Sequence, residues 1–131
     1  MFKIHKKFEK TSYYITDLKL CQVRLNDNAK FPWIMLLPKR KGVGQFLDLN
    51  RKDQIRLMDE IQYCSKVMKK HFTCFNLNVE KVGNIIPQLH IHVIARHKQD
   101  PSWPLSVWVV KGKPYTKVAL AKILEKLRKV I

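Results

Sequence analysis

Nine residues, Gln88 to Arg96, constrain the fold of this chain more than any other segment. Gln-Leu-His-Ile-His-Val-Ile-Ala-Arg alternates polar and apolar side chains through its first six positions. That period of two belongs to a β-strand with one face in a core, so the segment commits the chain to a sheet. Leu89, Ile91 and Val93 then form the buried face. Gln88, His90 and His92 share the other, next-but-one neighbours lying about 6.6 Å apart at the usual strand rise. Imidazoles held at that spacing can act as nucleophile, proton donor or metal ligand near neutral pH, or stand as exposed structural residues.

Other segments supply the remaining layers. Asp17 to Leu25 reads as a strand with a bulge where its alternation breaks between Leu20 and Cys21. Asn26-Asp27-Asn28 gives the turn that follows, and Phe31 to Leu37, bounded by Pro38, gives the second strand of a hairpin. Its unbroken apolar run predicts a strand covered on both faces. Asn50 is placed to cap a helix with Asp53 in its first turn, and Ile55, Met58, Ile61, Cys64, Met68 and Phe72 recur at three and four. Cys74 to Val82 and Leu89 to Arg96 are predicted as two further strands joined by a turn at Gly83-Asn84. A final helix, with Leu120, Ile123, Leu124, Leu127 and Ile131 as its apolar stripe, can begin near Pro114. The pattern predicts an α+β layer: a mainly antiparallel sheet with a central helix and a C-terminal helix packed on it.

At 131 residues the chain is expected to form one domain, 1–131, around one core. Its longest apolar stretch, Phe31 to Pro38, is far short of the ~20 residues of a membrane span. The first ten residues have no apolar core of the kind a secretory signal needs. Three cysteines, none in a C-x-x-C, fit a reducing cytoplasmic setting better than a disulfide scaffold. The 26 basic against 10 acidic residues give a net charge of +16, which favours polyanionic partners without selecting one. Nucleic acid is open on charge alone, but no aromatic RNA-binding pattern accompanies it.

Gln88 to Ile94 resembles the signature of the histidine triad (HIT) superfamily, His-φ-His-φ-His-φ-φ with φ apolar, at every position but the first. The chain looks like the bacterial HIT-like proteins with a Gln-x-His-x-His motif. The likeness spans about residues 17–104 and includes Asn26 after the first strand, Pro38 after the second and the Gly83-Asn84 turn. Residues 114–131 then form a basic helical extension. The resemblance implies nucleotide chemistry: His90 attacks the α-phosphorus of a nucleoside phosphoramidate or dinucleoside polyphosphate, and water cleaves the nucleotidyl-histidine. A backbone carbonyl accepting from one ring nitrogen would fix the tautomer that leaves the other nucleophilic. His92 matches the histidine that contacts phosphate oxygens. Gln88 replaces an imidazole with an amide that can orient a neighbour or a leaving-group oxygen but cannot shuttle a proton.

Gly83 and Asn84, with Asn78, are candidates for phosphate and Asn26 for ribose, each also explicable as a turn residue. Arg96 and His97 would add positive potential beyond the active strand. Trp103 and Trp108 either pack the C-terminal segment on the sheet, or one of them caps the nucleotide pocket or a dimer seam. Some family members hold zinc with a C-x-x-C pair, a helix-end histidine and the first triad histidine. His71 sits near a helix end, but too few other ligands remain here, so neither a metal nor another cofactor is expected. A homodimer is implied. The rival to an enzyme is a nucleotide-binding HIT-like protein with weak or no catalysis.

Overall fold

The computed structural model describes all 131 residues. Its elements run α1 (Lys6–Thr11), β1 (Ser12–Asp17), β2 (Cys21–Asn26), β3 (Trp33–Pro38), α2 (Arg51–His71), β4 (Asn76–Glu80), β5 (Ile91–Arg96) and α3 (Lys117–Val130). The five strands form one sheet in the order β1-β2-β3-β5-β4, with every pairing antiparallel. This is the α+β arrangement expected from the sequence. No helix is long and apolar enough to cross a membrane.

The apolar run of β3 is covered on both faces, as predicted. Ile34 and Leu36 point into one core with Cys21, Val23, Leu25, Ile91 and Val93, under α2 and α3. Trp33, Met35 and Leu37 point the other way, into a smaller core with Phe8, Phe31, Ile94 and Val107. This second face of the sheet lies opposite α2 and α3. Because Met35 pairs with His92 across β3 and β5, the histidine emerges among aromatic and sulfur-bearing neighbours.

Several local expectations are corrected. The break between Leu20 and Cys21 is not a bulge: it lies where a tight turn hands β1 to β2, and the strand pair begins at Ser12. That turn is held by the carboxylate of Glu60, which accepts from the Leu20 and Cys21 amides at 2.9 and 2.8 Å. Asn50 caps α2 as predicted, its side chain accepting from the Asp53 amide. The buried stripe of α2 is nevertheless Asp53, Leu57, Glu60, Cys64 and Met68, while Ile55 and Met58 are 52% and 64% exposed. Cys64 and Met68 lie in the main core with Ile61 and Phe72 against it, as expected. Near the start of the helix two acids with specific partners, Asp53 on Arg40 at 2.7 Å and Glu60 on the turn, take the buried face in place of Ile55 and Met58. The final helix starts after Thr116 and buries the expected stripe: Leu127 is in the main core, with Leu120, Ile123, Leu124 and Ile131 against it.

Candidate active site

Between β4 and β5 the chain runs through residues 81–90 without a strand, so Gln88, Leu89 and His90 precede β5 rather than lying within it. Gly83 takes φ +73°, a left-handed conformation that side chains disfavour, and so allows this connection to fold back over the sheet. Leu89 remains in the main core with Ile91 and Val93, which turns His90 and His92 to the opposite face as the alternation predicts.

There the connection, the end of β2, α1 and the segment around Trp108 enclose a cleft of about 440 Å³. Its lining includes Asn26, Gly83, Asn84, His90 and His92, so five of the seven residues proposed from sequence meet in one place. Lys7 and Thr11 of α1 add further polar groups.

Both histidines are almost fully buried, at 6% and 3% exposure. The Nδ1 of His90 lies 2.7 Å from the Gln88 carbonyl oxygen. A carbonyl only accepts, so this nitrogen carries the proton and Nε2 keeps its lone pair. Phe8 packs edge-on against the ring at 4.7 Å between centroids. Burial lowers the His90 pKa. The Gln88 carbonyl partly opposes that shift and the charge of Lys81 adds to it, so the imidazole favours its neutral form. Burial also drives His92 down to about 3, with neighbouring His90 adding to the effect. The His92 Nδ1 accepts from the Trp33 indole N–H at 2.9 Å. Both shifts favour a neutral pair of imidazoles rather than a charged one.

The structure does not bring two of the sequence candidates into the cleft. The Gln88 amide is committed elsewhere: its Oε1 accepts from the His5 amide and its Nε2 donates to the Lys3 carbonyl, both at 2.8 Å. It ties down the N-terminal segment and does not reach toward a leaving group. The Asn78 Oδ1 accepts from Arg96 at 2.8 Å. Arg96 is itself 1% exposed and paired with Asp100 at 2.6 Å, so its charge is neutralised inside the fold and adds no potential to the cleft. The two tryptophans divide the alternatives between them. Trp103 packs on Phe75 behind Arg96, whereas Trp108 lines the cleft and meets His92 and Trp33 edge-to-face. No three His, Cys, Asp or Glu side chains converge as a metal-binding group.

Sequence reasoning missed Lys7, Phe8, Thr11 and Trp33. The first three ride on a six-residue helix whose cap is His5, an uncommon capping residue. Trp33 was hidden in an apolar run, where only its register against β5 singles it out.

A family model of the HIT domain matches residues 7–99, most of the chain and all of α1 but its first residue. The chain belongs to the HIT family. Among solved structures, this HIT protein is similar to a histidine triad protein of Bradyrhizobium japonicum at 33% identity and TM-score 0.95, covering 99% of this chain and 98% of that one. A histidine triad protein of Marinobacter aquaeolei matches at 33% identity and TM-score 0.95, covering 99% and 96%. A hypothetical histidine triad nucleotide-binding protein of Sulfolobus tokodaii shares the fold at 16% identity and TM-score 0.70, covering 95% and 86%. No curated protein matches the chain significantly.

Proposed function

We propose that this HIT protein is a nucleotide hydrolase or transferase acting at the α-phosphate of a nucleoside phosphoramidate or dinucleoside polyphosphate. The observation that carries the reading is the His90–Gln88 bond, which leaves Nε2 as the free ring nitrogen in a cleft of about 440 Å³ that Lys7 also lines. In the first step the Nε2 lone pair forms a bond to phosphorus. The bond to the leaving group breaks, and that group departs with the electron pair and takes a proton from solvent. The Gln88 carbonyl stays on Nδ1–H and stabilises the positive charge of the phosphorylated ring. In the second step water adds to phosphorus and gives up a proton to solvent while the P–N bond breaks, its electron pair returning to Nε2. Net, one water is consumed.

Asn84, Gly83 and Lys7 are proposed to hold phosphate and Asn26 the ribose, with Trp108 against the base or leaving group. His92 supplies a hydrogen bond to a phosphoryl oxygen. The rival reading, a nucleotide binder with little turnover, draws on the absence of a third imidazole in the cleft. Turnover of adenosine phosphoramidate by the wild type and by His90→Ala separates the two: the enzyme reading requires activity in the first and none in a folded second.

The same proposal takes the chain as one domain in a reducing cytoplasmic setting, consistent with its three free cysteines. It also takes the protein as a homodimer through α2, whose exposed Ile55 and Met58 adjoin Phe46 in an apolar depression.

A further inference from the structure

We propose that Trp33 is a positioning residue that fixes His92 as a neutral imidazole with its proton on Nε2, the opposite tautomer to His90. An indole N–H donates and never accepts, so the nitrogen that the Trp33 N–H meets at 2.9 Å, His92 Nδ1, must present a lone pair. A neutral ring with that lone pair on Nδ1 carries its proton on Nε2. His90 faces the reverse situation, since its Nδ1 meets a carbonyl. Two histidines two residues apart are thus set by unlike partners. One has a bare Nε2 that can attack phosphorus, and the other has an Nε2–H that can donate to a phosphoryl oxygen.

Packing holds the assignment in place. His92 is 3% exposed and lies edge-to-face with Trp33, Trp108 and His90 at 5.5, 5.3 and 4.8 Å between centroids. A proton on Nδ1 would set N–H against N–H and leave a donor of an almost fully buried ring unsatisfied. Trp33 reaches this position because its partner across β3 and β5 is Ile94, which puts its side chain on the face of His92. A neutral donor also avoids the cost of burying an imidazolium, so the hydrogen bond to phosphate needs no charge.

The consequence for rate rests on the nucleotidyl-transfer reading above, but the tautomer does not, and the test reads the two apart. Two-bond ¹H–¹⁵N spectra of the labelled full chain without substrate should show the Nδ1–H pattern for His90 and the Nε2–H pattern for His92. An Nδ1–H pattern or a charged ring at His92 near neutral pH overturns the proposal, and this readout needs no variant. Trp33→Phe keeps a ring and deletes the donor. It should let His92 populate Nδ1–H, leave the His90 pattern unchanged and lower kcat by ~10-fold with KM within a few fold; a single well-placed donor to developing charge is worth ~10²–10³ in kcat, and tautomer freedom forfeits only part of that. In a His92→Ala background the same substitution should cost nothing further. An equal loss there, or an unchanged His92 pattern in Trp33→Phe, shows that Trp33 acts by packing alone and overturns the proposal. Absence of turnover in the wild type with Nε2–H at His92 would sink nucleotidyl transfer and support the tautomer assignment.

Discussion

Replacing Gln88 tests what the first motif position does in this chain. Its amide closes two hydrogen bonds at 2.8 Å with the backbone of Lys3 and His5. A net contribution of about 0.5–1.5 kcal/mol for each bond puts the loss in Gln88→Ala at about 1–3 kcal/mol, and the half-buried position argues for the lower part of that range. Phe8 is 2% exposed against His90 and continues to anchor α1, so the loosening should stop near residue 6. Amide exchange at His5, followed by hydrogen–deuterium exchange mass spectrometry of the N-terminal peptide, should accelerate ~10-fold. KM and kcat should both change little, because Lys7 and Thr11 line the cleft from the part of α1 that stays anchored. Gln88→His is the sharper comparison. An imidazole there cannot bridge both backbone groups as the amide does, and the position does not face the cleft. It should therefore not raise kcat even for substrates with poor leaving groups. A gain of ~10-fold confined to poor leaving groups, or unaltered exchange at His5 in Gln88→Ala, would refute this reasoning and restore Gln88 to leaving-group chemistry.

Two further outcomes follow, one from a buried side chain and one from an exposed pair. His92 drops from 6.5 to about 3 on folding, so below pH 6.5 the unfolded chain binds a proton that the native protein refuses. Stability should then decline by about 1.4 kcal/mol per pH unit from 6.5 toward 3 on account of His92, with His90 adding in the same direction. Denaturant titrations at pH 7 and pH 5 would contradict this if they gave equal stabilities, and His92→Gln should flatten the slope. The exposed Ile55 and Met58 of α2 lead to the second outcome. Multi-angle light scattering at micromolar concentration should give twice the monomer mass, and Met58→Glu should return it to one; a wild-type monomer removes the dimer from the account.

Much of the fold was legible because period-two and three-to-four patterns report burial directly. Alternation through Leu89, Ile91 and Val93 located the strand that carries the site, and Asn50 with Asp53 located the start of α2. Legibility ended where specific polar partners override hydropathy. Glu60 lies on the buried face of α2 because two backbone amides of the β1–β2 turn are its ligands, and no window average reports that. Arg96 looked like a free cation from sequence but is paired with Asp100 four residues later and drawn inside. In the cleft, Asn26, Gly83, Asn84, His90 and His92 converge because each follows from a strand end or a motif position. Lys7 and Thr11 arrive on a six-residue helix too short to show a period. Gln88 was read by what its amide could do for a substrate, whereas tertiary structure gives that amide to the N-terminal backbone.

The central claim is that the Nε2 of His90 takes a nucleotidyl group. Intact-protein mass spectrometry after rapid acid-free quenching of the wild type with adenosine phosphoramidate or a dinucleoside polyphosphate tests it most directly. The wild type should carry an adduct of one adenylyl mass per chain, labile to acid and mapping to His90, and His90→Ala should carry none. Turnover by the wild type with no adduct at any time point, or full turnover by His90→Ala, would contradict that claim.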